Sequence, residues 1–175
     1  MYSFDLYKKR LSVNELTPEI KQEIEIESIK YHLDPLLITA IIKTESDFNP
    51  LAQRYEAAYP YLYSVRELAE IVGCSKDTMT AAQKTSYGLM QLMGALCYEK
   101  FGFRNWPSRL FDVKINLSFG CRYVRSIIDR GYEKPDEIYA CYNAGSVRRI
   151  DNNTLVNQSN VNRFMVNYNE IIKKK

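Results

Sequence analysis

In the stretch "LLITAIIKTESDFNP", residues 36–50, Ile38, Ile41, Ile42 and Glu45 stand at i, i+3, i+4 and i+7 of a helical period. The carboxylate therefore falls on the stripe that faces the core, near the C-terminal end of a helix. Partial desolvation there, together with the partial negative charge of a helix C-terminus, disfavours the ionised form and raises the pKa. A carboxylic acid held neutral near pH 7 can hand a proton to a leaving oxygen, which is the first demand of glycoside cleavage. Helix position alone leaves a plainer reading open and ahead, in which Glu45 turns outward or pairs with an Arg or Lys. Asp47, two positions on, points to a different helix face. Glu56 in "QRYEAAY" is a candidate second carboxylate, with a solvated loop charge as its plainer reading.

The elements that must position these groups read as helices. "TPEIKQEIEIESIKYH" opens with Thr17 as N-cap and Pro18 at the first helical position, and "DPLLITAIIKTES" repeats the device with Asp34 and Pro35. "SYGLMQLMGALCYEKFGF" has helical apolar spacing at Leu89, Leu92, Met93 and Leu96, with Gly94 weakening the helix but permitting close packing. "DVKINLSFGCRYVRSIIDRG" starts at Asp112 and ends in a cationic turn before Gly131. "KPDEIYACYNAG" and "NVNRFMVNYNEIIKKK" supply two more helices, the last amphipathic. The segment between Asn49 and Thr85 is irregular, with two prolines, a tyrosine cluster and one short helical piece near Val65–Ile71, and reads as an elaborated connection. No internal repeat or strong strand stands out. The expectation is one mainly α domain whose loops wall a cleft.

Composition fits this. At 175 residues with net charge +3, the chain supports one core and lacks the dense basic stripe of a nucleic-acid binder. "SVRRI" and "IIKKK" read as solvated helix ends. Cys74, Cys97, Cys121 and Cys141 show no C-x-x-C spacing and, with the single His32, make a poor metal kit, so they read as buried thiols, with no metal or cofactor expected. No apolar run approaches membrane-spanning length, and the N-terminus lacks a signal-peptide pattern, so synthesis as a soluble cytosolic protein is expected.

Three strings in order, "TESDFNPLA" (44–52), "SYGLMQLM" (86–93) and "ACYNAG" (140–145), resemble the three motifs of the soluble lytic transglycosylase catalytic domain, in glycoside hydrolase family 23. The resemblance covers roughly residues 17–172 and implies a lysozyme-like α-helical domain spanning 17–175, an N-terminal extension 1–16 and an insert at about 53–85. It implies that Glu45 is the acid/base, with Ser46 in the same motif. Gln91 and Met93 would face the substrate cleft beside Tyr87, and Tyr142 and Asn143 would form the Y-N pair whose Tyr hydroxyl helps orient the carboxylate. It further implies cleavage of the β-1,4 bond between N-acetylmuramic acid and N-acetylglucosamine to 1,6-anhydro products, using one carboxylate because the sugar's N-acetyl group assists. A hydrolytic muramidase and a silent wall-binding module are the alternatives. The long insert and "TLVNQSNVNRFMVNY", with Asn160 where a Tyr is usual, resemble the phage and mobile-element branch. A monomeric endolysin that acts on the periplasmic wall, with peptidoglycan as its partner and no nucleic acid, is the resulting expectation.

Overall fold

A computed structural model describes residues 16–151 and 154–173, so the expected extension 1–16 lies, but for Leu16, outside the described residues. The domain is mainly α, with eight α-helices and one small sheet among those residues. Helices α1 (Pro18–Tyr31) and α2 (Pro35–Ser46) begin at side-chain caps: Thr17 Oγ1 accepts from the Ile20 amide at 3.3 Å and Asp34 Oδ1 from the Leu36 amide at 2.9 Å. Strand β1 (Gln53–Tyr55) follows, then α3 (Val65–Val72), α4 (Lys76–Gln83), β2 (Thr85–Tyr87), β3 (Leu92–Met93) and α5 (Gly94–Lys100). After a 3-10 turn (Pro107–Phe111) come α6 (Val113–Ile128), α7 (Pro135–Ala144) and α8 (Gln158–Lys173).

The core gathers Ile38, Ile41 and Ile42 of α2, Leu117, Cys121 and Val124 of α6, and Tyr139 and Phe164 of α7 and α8, all without solvent exposure. Helix α8 lies against both α2 and α7. Its Phe164 ring stacks on Tyr139 at 4.4 Å between centroids, and Asn167 Nδ2 donates to Thr44 Oγ1 at 2.9 Å, one residue before Glu45. All four cysteines are free thiols, three of them buried, and burial pushes the Cys121 thiol up to about 12.

Two sequence expectations are corrected here. The connection holds a second helix, α4, begun by Ser75, whose hydroxyl accepts from the Thr78 amide. The expected helix from Leu89 to Leu96 is instead a hairpin and a short helix. β2 pairs antiparallel with β1 (Gln53↔Tyr87) and with β3 (Ser86↔Met93), residues 88–91 turn, and α5 begins only at Gly94. The apolar run is short, and such a run fits either a strand or a helix by spacing alone. Backbone chemistry decides: Gly88 has φ +70° and Gln91 φ +46°, which no helix tolerates in sequence. A Cβ at Gly88 would meet Asn116 Nδ2 at 2.5 Å, and one at Gly94 would collide with the Ala82 carbonyl oxygen.

Asn116, wholly buried on α6, fixes the turn. Its Nδ2 donates to the carbonyls of Tyr87 and Leu110, both at 2.9 Å, and its Oδ1 accepts from the Met90 amide at 2.9 Å. Replacing it with an apolar residue strands one donor and two acceptors in the core, each costing about 1–3 kcal/mol. Asn116→Leu is expected to lower unfolding free energy by on the order of 3 kcal/mol in urea denaturation. A loss below about 0.5 kcal/mol would mean that the turn holds without it.

Candidate active site

Glu45 is on the last turn of α2, one residue short of its end, where the chain swings out through Asp47 and Phe48 at positive φ. The three isoleucines below it are fully buried, and Glu45 itself keeps only part of its surface. Burial raises its pKa above the ordinary glutamate value. The Tyr139 hydroxyl opposes that rise most, followed by Arg163, Arg54 and Asn143. The net direction is toward a neutral acid.

Tyr139 Oη donates to Glu45 Oε1 at 2.8 Å. With Oε1 accepting, the proton of the neutral acid is left on Oε2, the oxygen free to meet a substrate. The phenol stays protonated, because burial and then the facing carboxyl raise its pKa. Its ring is held by the Phe164 stack, so α8 indirectly sets the direction of the carboxyl.

The sequence pointed to Tyr142 for this role, and the structure corrects it. Tyr142 lines the cleft with part of its ring, but its Oη donates to the Met90 carbonyl at 2.6 Å, and so closes the 88–91 turn against α7. Both tyrosines share one face of α7 at i and i+3, but the one nearer the helix start meets Glu45. That spacing was the available signal for Tyr139. Tyr87 is core: its hydroxyl donates to the Ala82 carbonyl at 3.2 Å and its ring packs edge-on to Phe111.

The cleft has two lobes that meet at Glu45, Arg54 and Gln91. A charged lobe of about 560 Å³ carries Lys43, Ser46, Asp47, Arg163 and Asn167. An aromatic lobe of about 550 Å³ carries Tyr59, Tyr61, Met93, Tyr123, Asn143 and Asn160. Gln91 stands at the junction fully engaged: Nε2 donates to the carbonyls of Ala52 and Gly88, both at 2.9 Å, and Oε1 accepts from Ser86 Oγ at 2.9 Å. It is therefore a rigid wall more than a free hydrogen-bonding arm. Ser46 donates to the Ile42 carbonyl of its own helix at 3.2 Å.

Asn143 Oδ1 accepts from Asn157 Nδ2 at 3.0 Å and from Asn160 Nδ2 at 3.1 Å. Two donors on the oxygen fix the amide, which leaves its NH2 as the group presented to Glu45. Asn160 thus contributes where the sequence marked only a missing Tyr. Glu56 lines the aromatic lobe but is ion-paired with Arg54 at 2.5 Å, and Asp47 is ion-paired with Lys43. Among the described residues no three His, Cys, Asp or Glu side chains converge as a metal site would require.

A model of the family described as "Transglycosylase SLT domain" matches residues 22–165. No curated protein and no solved structure matches the chain.

The two tyrosines separate experimentally. Tyr139→Phe removes a hydrogen bond that favours the carboxylate, so the Glu45 pKa rises further and the alkaline limb of the pH–rate profile is expected to move to higher pH, with kcat reduced. Tyr142→Phe is expected to reduce stability and leave that limb in place. Identical pH profiles for wild type and Tyr139→Phe would exclude the hydroxyl from tuning the acid.

Proposed function

The chain belongs to the transglycosylase SLT domain family, enzymes of the lytic transglycosylase class that act on peptidoglycan, and from that premise we propose that it cuts the β-1,4 bond between N-acetylmuramic acid and N-acetylglucosamine, leaving 1,6-anhydro ends. The observation that carries the reading is the state of the three carboxylates lining the cleft. Asp47 and Glu56 are each ion-paired, whereas burial drives Glu45 toward the neutral acid. Retaining and inverting glycosidases need two working carboxylates; a route assisted by the substrate's own acetamido group needs one.

In that route Glu45 Oε2 protonates the glycosidic oxygen as the bond to the anomeric carbon breaks, and the N-acetyl oxygen of the muramic acid bonds to that carbon. The Glu45 carboxylate then takes the proton of the C6 hydroxyl, whose oxygen displaces the acetamido group and closes the anhydro ring. The acid is regenerated and no water is consumed. Tyr139 holds Oε1 throughout, and its hydrogen bond becomes charge-assisted when Glu45 is ionised, which stabilises that intermediate state.

The reading extends to setting: the resemblance of the insert and the C-terminal stretch to the phage branch supports an endolysin acting on the wall from the periplasmic side. The chemistry is checked by digesting purified sacculi and resolving the products by mass spectrometry. Wild type is expected to release anhydro-muropeptides, and Glu45→Gln to lose turnover by roughly 10²–10⁴-fold while remaining folded. Reducing-end products would instead assign a hydrolytic muramidase, and folded protein without products a wall-binding module. For the setting, expressing cells are expected to lyse once the inner membrane is permeabilised; their survival would set the endolysin role aside.

A further inference from the structure

The segment between β1 and α3 exposes apolar rings while being tied down at both ends. Tyr61 is 75% exposed and packs edge-to-face with Tyr59, ring centroids 5.7 Å apart. Single exposed apolar residues are ordinary, but Tyr61, Leu62 and Tyr63 are exposed in succession, and a contiguous apolar patch marks an interaction site.

The firmness comes from a buried amide. Gln83 of α4 has no solvent exposure and spends both ends of its side chain on one residue: Nε2 donates to the Tyr63 carbonyl and Oε1 accepts from the Tyr63 amide, each at 2.7 Å. At the other end of the loop the Glu56 amide donates to the Lys84 carbonyl at 2.8 Å, and Lys84 Nζ donates to the Ala57 carbonyl at 2.9 Å. Pro60, between the two tyrosines, fixes its own φ. The helix that the sequence left unread, α4, is thus the mount on which the tyrosines are presented.

Both Tyr59 and Tyr61 line the same lobe as Glu45, with Met93 and Tyr123 also on its walls. That lobe's volume of about 550 Å³ falls within the range of sites that enclose small organic ligands. Its one lining carboxylate besides Glu45, Glu56, is ion-paired with Arg54, and Arg148 also stands on the wall, so the lobe's rings suit a flat-faced ligand continuous with whatever Glu45 cuts and no unpaired carboxylate besides Glu45 repels it. A β-pyranose presents such a face, its axial C–H groups meeting the negative face of an aromatic ring.

We propose that the Tyr59–Tyr61 loop is a saccharide-binding platform, contributed by the insert, that grips a sugar ring of the glycan strand through the Tyr61 face. The proposal rests on the reading of the cleft as a peptidoglycan site and adds to it a binding determinant outside the three motifs. The insert then sets the affinity for longer strands and leaves the chemistry at the cut bond to Glu45.

Calorimetric titration of the Glu45→Gln protein with the hexasaccharide of β-1,4-linked N-acetylglucosamine tests it without turnover. Adding Tyr61→Ala is expected to weaken binding by roughly fivefold to tenfold, the worth of one ring stack. Tyr61→Phe, which keeps the ring and drops the hydroxyl, is expected to restore it. Tyr55→Ala, 58% exposed on β1 but lining neither lobe, is expected to bind as the parent does. Unchanged affinity in Tyr61→Ala, or no measurable binding by the parent, overturns the platform. Release of muropeptides from sacculi by wild type is scored separately, so failure of the platform and failure of the enzymatic reading give different results.

Discussion

The structure turns on one enclosed hydrogen bond, the Tyr139 hydroxyl on the Glu45 carboxyl, made where burial disfavours charge. Burial alone would give a neutral acid with no fixed direction, and a hydroxyl alone would favour the carboxylate. Together they give a proton donor whose occupied oxygen is specified and whose ionised form is still tolerable once the proton has left. The surrounding packing serves that pair. The isoleucine stripe of α2 removes water from beneath Glu45, the Phe164 stack holds the Tyr139 ring, and the Asn167–Thr44 bond pins α8 beside the carboxyl.

A second layer of buried polar contacts builds the wall opposite. Asn116 and Tyr142 hold the 88–91 turn from two helices, and Gln91 closes it to the segment before β1. Each of these groups makes its hydrogen bonds chiefly to backbone, as rigid polar cores require. The C-terminal helix segment enters through Asn157 and Asn160, which fix Asn143 by its oxygen. Groups from α2, the hairpin, α7 and the chain entering α8 therefore converge on one carboxyl, and no single motif could have supplied the geometry.

What was legible in the sequence follows a physical line. Helix starts at Thr17, Asp34 and Asp112 were readable because capping is local chemistry, and each of the three side chains takes the amide expected of it. Glu45 was readable because its place on an apolar stripe is a property of one helix. The hairpin was not, since Leu89, Leu92 and Met93 suit either period and only the positive φ values at Gly88 and Gln91, imposed by contacts with α6 and β1, decide between them. Tyr139 was hidden for a related reason. Motif reading favoured Tyr142, and which of two tyrosines on one helix face meets a carboxylate 94 residues away depends on how α7 docks on α2. Helix α4 was masked by its polar composition, although Ser75 carried a usable cap signal.

By these contacts the fold keeps Glu45 protonated beyond the range of an ordinary glutamate. The most direct measurement is the titration of its side-chain carboxyl carbon by 13C NMR in the ligand-free wild-type protein, with the resonance assigned by its loss in Glu45→Gln. A midpoint displaced upward from the usual carboxylate value is the expected result, because burial outweighs the Tyr139 hydrogen bond and the two arginines. A midpoint at or below the usual value would contradict it, since Glu45 would then be ionised at neutral pH and have no proton to give.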